Sequence, residues 1–207
     1  ALVWSHRYDA TLDQFFEVQQ EVILAISTAV ATMMKIVLPK TPPSRLAFNL
    51  QAYERVQAAE AMRFRYGRSA ADEIVRHLRA ALEFEPGDPV VRAALAVQLS
   101  QNVVSQWVED VGAVMAEADA HIEQALKEAP GDPEVMASAG VVAAMFHRPD
   151  RAISLLSRAV DGNPADPHAL AVLGWQTCLR RDDPAGVELI RAAEARAPHH
   201  PRHGLWA

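Results

Sequence analysis

The stretch APGDPEV, residues 129–135, decides the fold, because the chain writes it three times. EPGDPVV runs from Glu85 to Val91, and NPADPHA from Asn163 to Ala169. Each copy reads as a stop, a corner and a start. The first proline, Pro86, Pro130 or Pro164, cannot continue the helix that ends before it. A small residue follows, Gly87, Gly131 or Ala165, and glycine is permissive where a chain turns. Asp88, Asp132 or Asp166 is then placed to cap the next helix through its carboxylate. Pro89, Pro133 or Pro167 sits at the first helical position, where no backbone donor is needed. The motif therefore marks the boundary between two stacked helical units.

The first prolines serve as a ruler. Pro86 to Pro130 is 44 residues, and Pro130 to Pro164 and Pro164 to Pro198 are each 34. After Pro198 comes HHP, so the pattern persists with its aspartate lost. Small residues belong where paired helices approach to about 8–10 Å. In the unit after Pro133 these are Gly140, Ala152 and Ala159, with Leu156 as the large knob. In the next they are Gly174, Gly186 and Ala193, with Leu170, Leu173 and Ile190 as knobs. The unit ending at Pro130 offers Ala96, Ala118 and Ala125 with Ile122. It is ten residues too long, and SQNVVSQWVED, residues 100–110, carries the excess. In the unit ending at Pro86, Ala59, Leu78 and Ala81 fit, but Ile74 replaces the usual small residue.

A period of 34 with helical content is the mark of the tetratricopeptide repeat, a helix-turn-helix unit. The chain resembles that family over about residues 48–198, in units of about 48–86, 87–130, 131–164 and 165–198, with 199–207 opening a fifth. Met136, Ala143, Leu170 and Thr177 replace the aromatics usual at the fourth and eleventh positions, so the units are divergent. The resemblance implies an all-α fold: a right-handed solenoid of about four helix-turn-helix units with an extra N-terminal helix.

Residues 1–40 stand apart. LVWSHRYD, residues 2–9, has β-prone residues and reads as a strand. From about Leu12 the apolar residues follow helical spacing, through Phe15, Phe16, Val22, Ile23, Ile26, Val30 and Met33. TPPSRL, residues 41–46, is the expected linker (41–47), with Pro42 and Pro43 stopping the helix and Ser44 a cap for the next. The junction resembles bacterial multidomain signalling proteins in which a TolB-like domain ends in a W-S-x-R-Y-D strand, followed by an F-x-x-Q-x-E-I helix and tetratricopeptide units. The matching residues are Trp4, Ser5, Arg7, Tyr8, Asp9, Phe16, Gln19, Glu21, Val22 and Ile26. LQAYERV, Leu50–Val56, matches the first repeat of that group. In such proteins the output module is an adenylate/guanylate cyclase or a winged-helix DNA-binding domain. Neither is in this sequence, so the resemblance names a context. Lacking an initiator Met and a signal-peptide pattern, the chain reads as a cytoplasmic piece of a longer protein.

Composition narrows the classes further. Half of the 207 residues are apolar and 6% aromatic, which favours packed helices. The net charge of −6 argues against nucleic acid as a partner. Residues 1–86 balance ten basic against ten acidic side chains, whereas 87–198 carry nine against sixteen. A single cysteine, Cys178, excludes an internal disulfide and fits a reducing compartment. VILAISTAVATMMKIVL, residues 22–38, is short for a membrane span and is interrupted by Lys35, so it reads as a helix buried in protein.

Chemistry-bearing clusters are few. HHPRH, 199–203, holds three histidines, but Pro201 bends the chain between them, and a solvated corner is the simpler reading than a metal site. His121, His147 and His168 read as lying on separate helices, with no local ligand pattern. Glu83/Glu85 and Asp182/Asp183 read as charges near helix ends. Cys178 has no sequence neighbour that would activate it. Arg63, Arg65, Arg68, Phe64 and Tyr66 could touch a phosphate backbone, but snorkelling arginines at an inter-helix corner are the simpler reading. No catalytic residue, cofactor or metal is expected.

The family resemblance implies a concave groove lined by the first helix of each unit. Its second, fifth, ninth, twelfth and thirteenth positions become Val90, Ala93, Val97, Ser100 and Gln101; then Glu134, Ala137, Val141, Ala144 and Met145; then His168, Ala171, Trp175, Cys178 and Leu179. The Lys/Asn clamp for a peptide carboxylate is absent. An apolar groove anchored by Trp175 and Met145 suits an amphipathic helix of a partner protein or neighbouring domain. The groove could equally be filled by the N-terminal helix, residues 11–37, or by a second copy, as a module that pairs output domains.

Overall fold

The three Pro-small-Asp-Pro corners take nearly one geometry. The residues that end the preceding helices, Glu85, Ala129 and Asn163, have φ of −140°, −139° and −140°. Their amides donate back to the carbonyls of Ala81, Ala125 and Ala159 at 2.9, 2.9 and 2.8 Å. Each aspartate then caps. Asp88 Oδ1 accepts from the Val90 and Val91 amides at 2.8 and 3.1 Å. Asp132 does the same for Glu134 and Val135 at 2.9 and 3.4 Å, and Asp166 for His168 and Ala169 at 2.9 and 3.1 Å. The expected glycine freedom is not used: Gly87 and Gly131 lack positive φ, and a Cβ on either would meet nothing within 4 Å. That is why Ala165 serves the third corner.

The structure is a computed structural model that describes residues 50–63, 65, 67–181 and 185–196. Among these residues there are eight helices and no strand. In chain order they are α1 (Leu50–Met62), α2 (Arg68–Phe84), α3 (Pro89–Val104), α4 (Val111–Glu128), α5 (Pro133–Met145), α6 (Pro149–Gly162), α7 (Pro167–Arg181) and α8 (Ala185–Arg196). All belong to one compact unit, Asn49–Ala207. The expected strand 2–9, the N-terminal helix, the linker, Phe64, Tyr66, Asp182, Asp183 and residues 197–207 lie outside the described residues.

Consecutive helices pair as α1/α2, α3/α4, α5/α6 and α7/α8, and the second helix of each pair packs on the first helix of the next. The first helices also run beside one another, α3 along α5 and α5 along α7. The turns inside the second and third pairs share a device. Gln106 and His147 adopt the left-handed region, φ 58° and 56°. Trp107 and Arg148 then donate to the carbonyls of Asn102 and Ala143, closing a Schellman turn at each site. The ten extra residues of the second unit lengthen α3, the turn after it and α4, whose start Asp110 caps through the Ala113 amide at 2.9 Å.

The small-residue register is the packing register. Ala96, Ala118, Ala125, Ala152, Ala159 and Ala193 are all 1% exposed or less. A Cβ at Gly174 would lie 2.6 Å from the Gly186 carbonyl oxygen, so α7 and α8 touch backbone to backbone. Leu156 and Ile122 are buried knobs, while Ile190 is half-buried. No buried polar side-chain atom among the described residues lacks a hydrogen-bond partner. On the outer surface, arginines from both neighbouring pairs reach the acidic edge of α4. Arg79 on α2 meets Glu117 at 2.6 Å, Arg151 on α6 meets Glu123, and Arg148 forks onto both Asp119 oxygens at 2.7 Å. That last hydrogen-bonded pair raises the Arg148 pKa. Exposed pairs of this kind contribute little each; the bidentate one is the best formed.

Candidate functional site

Repetition places the same helix positions on one face, and there the described residues form a cleft of about 260 Å³. Its floor is apolar: Val90, Ala94 and Val97 from α3, Ala137, Val141 and Met145 from α5, and Ala59, Ile74 and Leu78 from the first pair. Its rim is polar, with Glu60 and Arg63 at one end, Gln98, Gln101 and Ser138 along the middle, and Glu134, Asp166 and His168 at the other. Arg63 is ion-paired with Glu60, and Asp166 is engaged as the α7 cap. Arg68 lies 4.0 Å from Asp72.

Val90, Val97, Gln101, Glu134, Ala137, Val141, Met145 and His168 line this cleft. Other expected groove residues do not. Ala93 and Ala171 are 1% exposed, and Ser100 is fully buried, its hydroxyl donating to the Ala96 carbonyl at 2.8 Å. Side chains this short vanish where helices close to packing distance. Ala144 is half-buried and packs against the core cluster around Ala152, Leu156 and Leu173. Cys178 is half-buried, and its sulfur would lie 2.5 Å from a Cβ on Gly186, so it packs between α7 and α8. Trp175 and Leu179 are exposed, beyond the cleft. The anticipated Trp175 anchor is thus outside it, and the groove is an apolar floor with a polar rim rather than apolar throughout.

The location of the cleft follows from an irregularity. α3 packs along α5, but α1 and α3 barely touch. Position 74 is where the later units carry Ala118, Ala152 and Gly186; the isoleucine adds bulk between α1 and α2. Ile74 and Leu78 therefore reach the cleft floor, whereas their counterparts in the next unit, Ala118 and Ile122, are sealed in the core. Ile74 was the sequence signal for this opening, visible as the one large residue in a small-residue column.

No group of three or more His, Cys, Asp or Glu that could hold a metal occurs among the described residues. No helix among them is long and apolar enough to cross a membrane. Glu83 is exposed and Glu85 ends α2.

The stacked helix pairs, the 34-residue period and the first helices aligned on one face define the class: a tetratricopeptide-like helical-repeat protein. No family model matches the chain. It is 26% identical over 105 residues to a protein named putative adenylate cyclase 3 of Rhizobium meliloti (strain 1021). That stretch is 51% of this chain and 18% of the relative, so it spans less than a fifth of the relative's length. Among solved structures, the MamA protein aligns at 16% identity over 75% of this chain and 80% of that one, with a TM-score of 0.48. YrrB, described as a TPR protein with an unusual peptide-binding site, aligns at 18% identity over 75% of each chain, with a TM-score of 0.46.

Proposed function

We propose that this chain is a non-catalytic interaction and regulatory module of a cytoplasmic signalling protein, holding a partner helix or a neighbouring domain across the concave cleft. The observation that carries this reading is the cleft itself, an apolar floor built by α3, α5 and both helices of the first pair and framed by amides and charges. Its volume suits two or three apolar side chains, not a whole helix. An amphipathic helix would lie across it and insert residues spaced i, i+4 and i+7. The partial likeness to a putative adenylate cyclase supports a setting beside a cyclase-type output module.

The test is selection of displayed peptides on the full chain and on Ala94→Arg, which plants a charge on the cleft floor. Peptides with helically spaced apolar residues, enriched on the parent and lost on the variant, support the reading. Enrichment indifferent to Ala94→Arg sinks it.

A further inference from the structure

We propose that the occupant of the cleft is basic: an amphipathic helix that sets its apolar residues on the floor and a lysine or arginine against Glu134 and Asp166. This rests on the reading of the cleft as a docking site and names the charge of what docks there.

The lining of the cleft is one-sided in charge. Among the described residues it holds three carboxylates, Glu60, Glu134 and Asp166, against a single Lys or Arg side chain, Arg63. Glu60 engages Arg63 in an ion pair, so the charge at that end is matched within the chain. Glu134 and Asp166 stand at the other end, where the lining holds no Lys or Arg. Glu134 is exposed, and Asp166 caps α7 through Oδ1.

Repetition gathers more of the same charge at that edge. Val90, Glu134 and His168 each stand one residue past the proline that starts α3, α5 or α7, and all three line the cleft. The three helix starts therefore share one edge, and the corner before each start is acidic. Residues 83–92 and 127–134 each hold three acidic and one basic side chain, and 161–168 hold two acidic and none basic. Arg92, the cation of the first corner, pairs with Glu128 at 3.3 Å. Farther along α3 and α5 the lining is neutral, with Gln98, Gln101, Ser138 and Met145.

Length fits the same occupant. Glu134 and Met145 are about 16 Å apart along the α5 axis, at 1.5 Å per residue. That span takes apolar residues one helical turn apart, followed by a basic side chain whose stem lies on the floor while its head reaches the carboxylates. An acidic segment, or a chain end presenting its carboxylate, would bring like charge to this edge, with the lining arginine already paired at the far end. Opposite charge instead favours encounter and fixes the register in which the apolar residues fall.

The experiment is selection from a displayed library of helical peptides. Leucine is fixed at i, i+4 and i+7, and Lys, Gln and Glu are equally represented at the flanking positions. Selection at pH 8 keeps ordinary imidazoles neutral. It is run on the full chain, on Ala94→Arg, on the pair Glu134→Gln with Asp166→Asn, and on the pair Glu54→Gln with Glu109→Gln. Glu134 is exposed and asparagine still caps a helix, so the first pair keeps the fold. Glu54 and Glu109 are exposed and do not line the cleft, so the second pair changes net charge alone. Among peptides enriched on the full chain and lost on Ala94→Arg, Lys should exceed Glu about fivefold at one flank, as for two rim ion pairs. That preference should vanish on the Glu134/Asp166 pair, where peptides still enrich, and persist on the Glu54/Glu109 pair. Cleft-dependent peptides without a preference for Lys, or a preference that both pairs reduce alike, overturn the inference and leave the docking reading standing. No enrichment, or enrichment that Ala94→Arg does not touch, sinks both.

Discussion

Leu156 on α6 lies directly against Gly140 on α5: a Cβ placed on Gly140 would sit 2.5 Å from Leu156 Cγ and 3.0 Å from Cδ2. The missing side chain on one helix is the room for the knob on the other. Leu156→Ala is expected to cost about 2–5 kcal/mol, as for a fully buried leucine. Gly140→Ala is expected to cost about 1–3 kcal/mol by overpacking. Together they should cost less than the sum, because the new methyl occupies space the leucine vacated. Urea unfolding of the four species measures this. Additivity would mean that the two residues do not share one space.

Glycines divide by what faces them. Gly174→Ala is expected to destabilise more than Gly140→Ala, because its Cβ meets the backbone oxygen of Gly186, which cannot rotate away. Gly87→Ala and Gly131→Ala should instead stabilise by about 0.4–1 kcal/mol, by restricting the unfolded chain at positions with open space and no positive φ. Thermal melts rank the four substitutions.

The corner aspartates are expected to act locally and alike. Asp132→Ala should cost about 0.5–2 kcal/mol through loss of the Glu134 and Val135 amide bonds. Exchange protection should fall first in the opening turn of α5. An effect spread evenly over the solenoid would contradict a capping role.

His121 on α4 gives the chain a pH dependence. Burial lowers its pKa below 6.5, aided by Arg92 and Arg79 and opposed by Glu117, whose Oε1 is 3.8 Å from Nε2. The fold therefore favours the neutral imidazole. The stability this implies is complete above the unfolded value of 6.5 and is lost as pH falls through that value toward the lower folded one. His121→Gln should lose less stability than the parent chain on acidification through this range. Parallel stability–pH curves for the two would refute the assignment.

Much of the fold was legible because its determinants are local. Pro-small-Asp-Pro stops one helix and caps the next using only neighbouring atoms, so three corners could be located by eye. The column of Ala96, Gly140 and Gly174 likewise announces close helices, since side-chain size alone limits how near two backbones come. Only half of the candidate site was legible in the same way. Helical position told which face Ala93, Ala171, Trp175 and Cys178 occupy, but not how closely the neighbouring helix approaches that face.

Sequence by itself determined the corners between units and the small-residue register with its knobs, which depend on backbone chemistry and on residue volume within one pair. Tertiary structure decided where the groove opens and what stays uncovered. The first pair stands off from α3 where Ile74 occupies a small-residue position, while α3, α5 and α7 close over their alanines. Those separations arise from the packing of whole helices, which the small-residue column marks only at Ile74.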